Sequence, residues 1–274
     1  GSSTPNTVAM GLAMPFMAVL QGLVGLSVVL LLSSVLGEDL HPGLGLLLPL
    51  GFNQGPGQAM SLGEAWEATG FIDGGQLGLI IAAVGFAWSV ICGIPLVYYL
   101  QRKGFISSVY EAESTKETSD DEFDPLSQSI SVICLVYLIC FGVLNLLHYS
   151  LESNPGHQGM IWGFHFLIAL IISVLMRIVY KRVTGRDFQR RPLGQITNLS
   201  VDWVTCSAIA AIQITILQQN WVAIVVLTSV GLVLTLGIVM WWGSRGFSSD
   251  KAEHAIVWFG ASTGTLPMGL ALLR

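Results

Sequence analysis

Long apolar runs without a charged residue constrain this sequence more than any other feature. The first run, residues 8–36, contains no Asp, Glu, Lys or Arg, and it is long enough to cross the roughly 30 Å hydrocarbon core of a bilayer as a helix. Charged residues make up 11% of the chain, whereas a soluble domain carries about 25%. We therefore predict an all-α polytopic membrane protein embedded in a lipid bilayer. A soluble enzyme is excluded, and no enzymatic activity is expected.

The distribution of basic residues predicts how the chain is oriented. Predicted spans are residues 8–36, 76–100, 126–149, 159–180, 195–217 and 221–242. If the chain crosses at each span, one side receives the following basic residues: Arg102, Lys103, Lys116, Arg177, Lys181, Arg182, Arg186, Arg190, Arg191, Arg245 and Lys251. The connections on the other side, 37–42, 69–75, 151–157 and 218–220, hold none. Because Lys and Arg are retained in the cytoplasm, we expect a multi-pass protein of the inner (plasma) membrane with these basic loops inside.

Two further apolar segments are interrupted by glycine and proline. The charge asymmetry requires residues 42–70 to enter and leave on the outer face, and by the same parity residues 254–273 enter from the cytoplasm. Both are therefore predicted to be re-entrant hairpins of opposite orientation. Irregular backbone at membrane depth survives only where it is buried in protein or lines a watery cavity, so these two segments are the predicted functional site.

Each interrupted segment follows a long apolar span, and this order predicts two inverted repeats. Residues 1–100 would form the end of the first repeat, 101–125 an acidic cytoplasmic linker, and 126–274 the second repeat, with both chain ends incomplete. Paired, broken segments at matching positions are typical of a secondary transporter's binding site. An ion channel with re-entrant filter loops is an alternative. The net charge of −5 arises largely between residues 111 and 124, which leaves no basic surface for nucleic acid.

The residue types in the two breaks suit a small anion together with a cation. Exposed N–H groups at a broken helix can hold a carboxylate, and free carbonyl groups can coordinate sodium. Pro56 and Pro267 remove amide donors and fix the breaks. The predicted substrate-binding residues are Asn53, Gln54, Gly55, Gly57, Gln58, Ser262, Thr263, Gly264 and Thr265.

A carboxylate inside a predicted span is a candidate ligand for the coupling ion. Asp202 lies about 10 Å into the span that begins at residue 195, at 1.5 Å per residue, and intramembrane carboxylates mark functional sites by default. A hydrogen bond to a neighbouring span, or a side chain that reaches toward the cytoplasmic interface, would explain it equally well. The predicted sodium-binding residues are Asp202, Asn198, Ser200, Gly51 and Gly260.

Both broken segments resemble a known transporter family. The motifs Leu47-Leu48-Pro49-Leu50-Gly51, Gln54-Gly55-Pro56-Gly57-Gln58-Ala59 and Gly70-Phe71 resemble the first hairpin of the bacterial glutamate:sodium symporters. The closing Gly260-Ala261-Ser262-Thr263-Gly264-Thr265-Leu266-Pro267 resembles that family's second hairpin. The order of elements is similar from the fourth span of a ten-span protein through the second hairpin, which implies about three missing leading spans and one missing closing span.

The resemblance implies a sodium-driven symporter that imports L-glutamate or a related small carboxylate by alternating access. It implies Na+ as coupling ion, no organic cofactor and a homodimer. The family's hairpins carry histidines, and here those positions read Gln54 and Trp258 or Phe259, so the substrate is the least specified part of this expectation. A proton-coupled transporter of another organic anion, with Asp202 or His165 as proton carrier, is the second alternative.

Overall fold

Helices form the whole of the regular structure in the part of the chain that the computed structural model describes, which is residues 3–37, 39–105, 125–150, 161–162, 165–185, 187–188, 190–247 and 250–273. The helices are α1 (Ser3–Leu36), α2 (Gly43–Pro49), α3 (Pro56–Glu67), α4 (Gly74–Arg102), α5 (Pro125–Ser150), α6 (His165–Thr184), α7 (Arg190–Ala210), α8 (Ile214–Gly246), α9 (Lys251–Ala261) and α10 (Leu266–Ala271). A π-helical turn (Leu50–Gln54) follows α2 directly. The predicted all-α class is confirmed for these residues, whereas most of the predicted 101–125 linker and the start of the 159–180 span lie outside them.

Four of the described helices are long and apolar enough to cross a membrane. They are Asn6–Leu36, Gly74–Arg102, Leu126–Ser150 and Ile214–Gly243, and they coincide with four of the six predicted spans. α6 is helical over much of the predicted 159–180 span, but Arg177, Lys181 and Arg182 lie in its last two turns. The protein is therefore a membrane protein by the length and composition of its helices.

The predicted span 195–217 is divided between two helices. α7 ends at Ala210 and α8 begins at Ile214, because Gln213 adopts an extended conformation with φ −84° and ψ 111°. The Gln213 N–H is directed to the Gln76 Oε1 atom, at 3.3 Å, instead of to its own helix. Residues 214–217 consequently belong to the next helix, a boundary that apolar periodicity does not reveal.

The chain forms two compact units. The first consists of residues 1–112 and 204–274, and the second of residues 113–203. These units are defined by packing, so the division into sequence repeats stays a prediction.

In the second unit α5 packs on α6, with the Gln128 Nε2 atom donating to the Tyr180 hydroxyl at 2.9 Å. The Arg177 guanidinium lies 2.6 Å from the Asp187 carboxylate and, by hydrogen bonding, lowers the pKa of that carboxyl to about 2.

In the first unit, residues 41–71 form a segment whose two ends lie together. The His41 ring stacks on the Phe71 ring with centroids 4.7 Å apart. Between these ends α2 packs along α1, where a methyl group added at Gly25 would overlap the Gly45 carbonyl oxygen. α3 packs along the start of α4. Residues 41–71 therefore run inward along α1 as α2, turn, and run back along α4 as α3.

The end of the chain repeats this arrangement with α8, α9 and α10. α9 begins beside the end of α8, since a methyl group added at Gly243 would lie 2.8 Å from Ala255 Cβ. α10 then turns back on α9, because a methyl group added at Gly260 would lie 2.8 Å from the Gly269 nitrogen. Two apolar clusters, which include Phe52 and Leu48 in one and Trp258 and Phe259 in the other, fill the interior of this unit.

Candidate binding site at the two chain breaks

Two interruptions of helical backbone define the candidate site. The first break is residues 50–55, between α2 and α3, and the second break is residues 262–265, between α9 and α10. At the first break Gly55 has φ 90° and ψ 177°, a conformation that a residue with a side chain rarely adopts. Pro56 then opens α3, where its missing N–H has no helical partner to lose. At the second break Thr265 is extended, with φ −144° and ψ 165°.

The two breaks touch each other in the interior of the first unit. A methyl group added at Gly55 would lie 3.1 Å from Thr265 Cγ2. α4 passes against both breaks, because a methyl group added at Gly85 would lie 2.6 Å from the Thr263 carbonyl oxygen and 2.9 Å from Phe52 Cδ1. Glycine at this position of α4 is what allows the Thr263 backbone and the Phe52 ring to lie against this helix.

A buried glutamine joins the two breaks to the long helices. Gln21 of α1 is 0% exposed, and its Nε2 atom donates to Thr235 Oγ1 of α8 at 2.8 Å and to the Ser262 carbonyl oxygen at 3.0 Å. Its Oε1 atom accepts a hydrogen bond from Asn53 Nδ2. One side chain thus contacts α8 and both breaks, which satisfies both of its amide hydrogens.

Four buried side-chain oxygen atoms at or next to the breaks have no hydrogen-bond partner among the described residues. They are Asn53 Oδ1, Gln58 Oε1, Ser262 Oγ and Thr265 Oγ1. The Ser89 hydroxyl, one turn beyond Gly85 on α4, is also buried without a partner. Leaving such a group unsatisfied costs about 1–3 kcal/mol, so unpartnered oxygens beside the two breaks indicate a place for water, an ion or a polar ligand.

The structure brings together most of the predicted substrate-binding residues. Asn53, Gly55, Ser262 and Thr265 lie where the breaks meet or contact Gln21, and a methyl group added at Gly264 would lie 3.0 Å from the Phe86 ring of α4. Thr263 is buried, but its hydroxyl already donates to the Phe259 carbonyl oxygen at 2.9 Å.

Two predicted substrate-binding residues are exposed instead. Gln54 lies in an apolar surface groove of about 460 Å³, together with Leu46 and Trp66. Gly57 is also exposed, and a methyl group added there would meet nothing within 4 Å.

The predicted sodium-binding residues fall in two places. Gly51 and Gly260 serve close packing: a methyl group added at Gly51 would lie 2.9 Å from the Ala82 nitrogen, and one added at Gly260 would overlap Gly269. Asn198, Ser200 and Asp202 belong to the second unit, where all three are exposed on α7. His165, the other predicted proton carrier, is exposed in the same unit, with Nδ1 2.7 Å from the Trp162 carbonyl oxygen. An ion-binding or proton-carrying role for these residues stays a prediction.

Three buried polar residues of the site were not predicted from the sequence. Gln21, Ser89 and Thr235 each lie within a long apolar helix. A lone Gln in the uncharged run 8–36 is a usable signal, because an amide in hydrocarbon requires partners. Ser and Thr carry a weaker signal, since either can bond to the carbonyl four residues back in its own helix, as Thr235 does to Gly231 at 2.7 Å.

Comparison with known proteins adds no family assignment. The chain matches no protein-family model, no curated protein and no solved structure. The functional argument therefore depends on the geometry of the two breaks.

Proposed function

We propose that this protein is a sodium-coupled secondary transporter that imports a small carboxylate, with L-glutamate as the first candidate. The observation that carries this proposal is the meeting of two helix breaks, lined by unpartnered oxygen atoms, inside a unit built from long apolar helices. Broken helices that meet in this way are the common architecture of a transporter's substrate and ion site.

Re-entrance of the two broken segments is part of this proposal. It is supported for the first segment by the contact of His41 with Phe71, which puts both ends of the segment at one end of α1 and α4. Asn53, at its turn, reaches Gln21 near the middle of α1. The second segment has corresponding contacts. Ala255 lies against the end of α8, and Gly269 packs against α9. We propose that the first enters from outside and the second from the cytoplasm, as the basic residues predict.

An inverted repeat is the simplest account of these two similar arrangements. In each a long helix precedes a short helix, a break and a further short helix. The breaks also share a sequence pattern, because Gly51-Phe52-Asn53-Gln54-Gly55 corresponds to Gly260-Ala261-Ser262-Thr263-Gly264. Asn53 and Ser262, the middle residues of these patterns, both bond to Gln21.

The unpartnered atoms at the breaks suit a cation together with a carboxylate. Neutral amide and hydroxyl oxygens are ligands that a hard cation accepts, and they avoid the cost of burying a charge without a partner. The first turn of α3, at Gly57 and Gln58, has free backbone N–H groups that favour an anion. Sodium bound at the oxygens would lower the cost of bringing a carboxylate beside it, which is the basis of coupling.

The decisive experiment is uptake into proteoliposomes that contain the purified full-length protein. We expect radiolabelled glutamate to accumulate under an inward sodium gradient and not under an equal potassium gradient. Competing carboxylates and amino acids define the substrate. If another anion accumulates with sodium, the substrate assignment is wrong and the coupling stands, whereas downhill flux without any sodium dependence would support a channel.

Two isosteric variants of the second break test where the ion binds. Thr265→Val removes an unpartnered oxygen, and Thr263→Val is the matched control because the Thr263 hydroxyl is already bonded within its helix. We expect Thr265→Val to raise the half-saturating sodium concentration about tenfold, which corresponds to about 1.4 kcal/mol. Thr263→Val should change it less than threefold, and equal effects of both variants would contradict a cation site at Thr265.

A further inference from the structure

The hydrogen bonds around Gln21 determine which side of the Asn53 amide faces the ligand. We propose that Gln21, oriented by Thr235 and Ser262, is a positioning residue that makes Asn53 present its carbonyl oxygen, so that the first break selects a cationic or hydrogen-bond-donating group. This inference rests on the proposed function for the identity of the ligand. The orientation itself follows from the hydrogen bonds alone.

The Ser262 backbone fixes the Gln21 amide. A backbone carbonyl can only accept a hydrogen bond, so the group of Gln21 that lies 3.0 Å from the Ser262 oxygen is its NH2. The second hydrogen of that NH2 is directed to Thr235 Oγ1 at 2.8 Å. Thr235 accepts it because its own hydrogen is donated to the Gly231 carbonyl oxygen at 2.7 Å. Exchanging the Gln21 oxygen and nitrogen would place an oxygen against the Ser262 carbonyl.

The Gln21 amide in turn fixes the Asn53 amide. With both of its hydrogens committed, Gln21 offers only Oε1 to Asn53, and Asn53 Nδ2 donates to it. The Asn53 Oδ1 atom is then left on the opposite side of the amide, buried and without a partner. The series of hydrogen bonds therefore runs from a backbone carbonyl in the second break to an acceptor oxygen in the first.

This orientation has a consequence for selectivity. An acceptor oxygen attracts Na+ or the ammonium group of an amino acid and repels a carboxylate. Asn53 is thus assigned to the cationic part of the ligands. A substrate carboxylate has to be held by other groups, such as the backbone N–H groups at the start of α3.

An aspartate at position 53 tests the orientation without any ligand. In Asn53→Asp a carboxylate oxygen would face Gln21 Oε1, and repulsion between the two acceptors should raise the folded-state pKa of the new carboxyl. The unfolding temperature of the purified protein should therefore be highest at acidic pH and fall as pH rises through that pKa, because the folded state retains the proton. Gln54→Glu is the control, since Gln54 is exposed, and it should follow the wild-type pH dependence.

Two valine variants of α8 test the positioning role. Thr235→Val removes the acceptor that Gln21 uses, whereas Thr228→Val is the matched control on the same helix, where the equally buried Thr228 hydroxyl bonds to Ile224 within its own helix. We expect Thr235→Val to raise the half-saturating sodium concentration about three- to tenfold with a maximal uptake rate within twofold of wild type. Thr235→Ser should keep the wild-type half-saturating sodium concentration, because serine retains the hydroxyl oxygen that accepts from Gln21. A purely structural role would lower the amount of folded protein without this shift.

The source of the cationic group is distinguished by comparing two substrates. Glutarate lacks the ammonium group of glutamate, so if Asn53 contacts the ammonium group, Asn53→Ala should weaken glutamate transport by a larger factor than glutarate transport. If Asn53 contacts sodium, Asn53→Ala should raise the half-saturating sodium concentration for both.

The outcomes separate this inference from the proposed function. An Asn53→Asp protein whose unfolding temperature follows the wild-type pH dependence would overturn the orientation. Equal sodium dependence of Thr235→Val and Thr228→Val would overturn the positioning role. A wild-type protein without any sodium response, together with the expected pH dependence of Asn53→Asp, would instead overturn the proposed function and leave the orientation intact.

Discussion

Glycine at single positions decides how closely the helices of the first unit approach. Gly25 of α1 and Gly45 of α2 are in direct backbone contact, so that a methyl group on either would overlap the main chain of the other. Small residues at helix crossings are common in membrane proteins, where close packing replaces the hydrophobic effect as the driving force for association. Here the contact holds α2 against α1, five residues before the first break begins at Leu50.

A methyl group at Gly25 should therefore be costly. We predict that Gly25→Ala lowers the free energy of unfolding by about 1–3 kcal/mol, the usual penalty for overpacking a filled interior. Gly11→Ala on the same helix should be neutral or slightly stabilising, because a methyl group added at Gly11 meets nothing within 4 Å. Thermal unfolding in detergent measures both, and equal melting temperatures would contradict the assigned packing.

Residues of the breaks could be predicted from the sequence, whereas their partners could not. Gly55, Pro56 and Gly264 mark interruptions in apolar segments, and that pattern is local. The bond from Gln21 to Thr235 joins residues 214 positions apart, and it depends on the rotation of α8 about its axis. Nothing local to either helix specifies that rotation.

The fourth helix is the element on which the site is built. Several glycines lie along α4, and at Gly78 and Gly85 they bring its backbone against α3 and against both breaks. The glycine-lined face of α4 therefore sets how far apart the two breaks lie. Gly237 of α8 has no such neighbours, since a methyl group added there would meet nothing within 4 Å.

Adding a methyl group to this face of α4 should disturb binding more than folding. We predict that Gly85→Ala displaces Phe52 and Thr263 and reduces sodium-dependent uptake by at least tenfold. Gly237→Ala, the control, should retain wild-type uptake. Uptake normalised to the amount of folded protein, from size-exclusion chromatography, distinguishes the two variants, and full activity of Gly85→Ala would show that the breaks tolerate separation from α4.

Element boundaries show where sequence periodicity succeeds and where it fails. α1, α4 and α5 correspond to predicted spans within a few residues because uncharged apolar runs are unambiguous at that length. The predicted boundary, between residues 217 and 221, lies seven residues beyond the actual one between Ala210 and Ile214, since Ile212 to Leu217 is mostly apolar on both sides of the actual turn. The bond of Gln213 to Gln76 that marks this turn is a tertiary contact.

At the scale of the whole molecule, the proposed topology makes a prediction about sidedness. α4 has 29 residues and is about 44 Å long at 1.5 Å per residue, which is long enough to cross the bilayer, and the proposed topology puts its two ends in different compartments. Asp39 and Ile72 are exposed at the two ends of the first broken segment, and Lys103 is exposed at the other end of α4.

Single cysteines at these positions report the topology directly. In a background without Cys92, Cys134, Cys140 and Cys206, we predict that Asp39→Cys and Ile72→Cys react with a membrane-impermeant maleimide on intact cells. Lys103→Cys should react only after permeabilisation, because the basic residues are retained in the cytoplasm. Labelling of positions 39 and 72 from opposite faces would show that the segment between them crosses the membrane.

The bond between Gln21 and Ser262, which are 241 residues apart, also sets an order of events during synthesis. α1 enters the bilayer long before α8 and α9 have been made, and until then the Gln21 amide lacks two of the three partners that it has in the folded protein. An amide in hydrocarbon seeks other partners in the meantime. We therefore expect the newly inserted α1 to depend on insertion chaperones until α8 and α9 are in place, because Thr235 and Ser262 then become available to its amide.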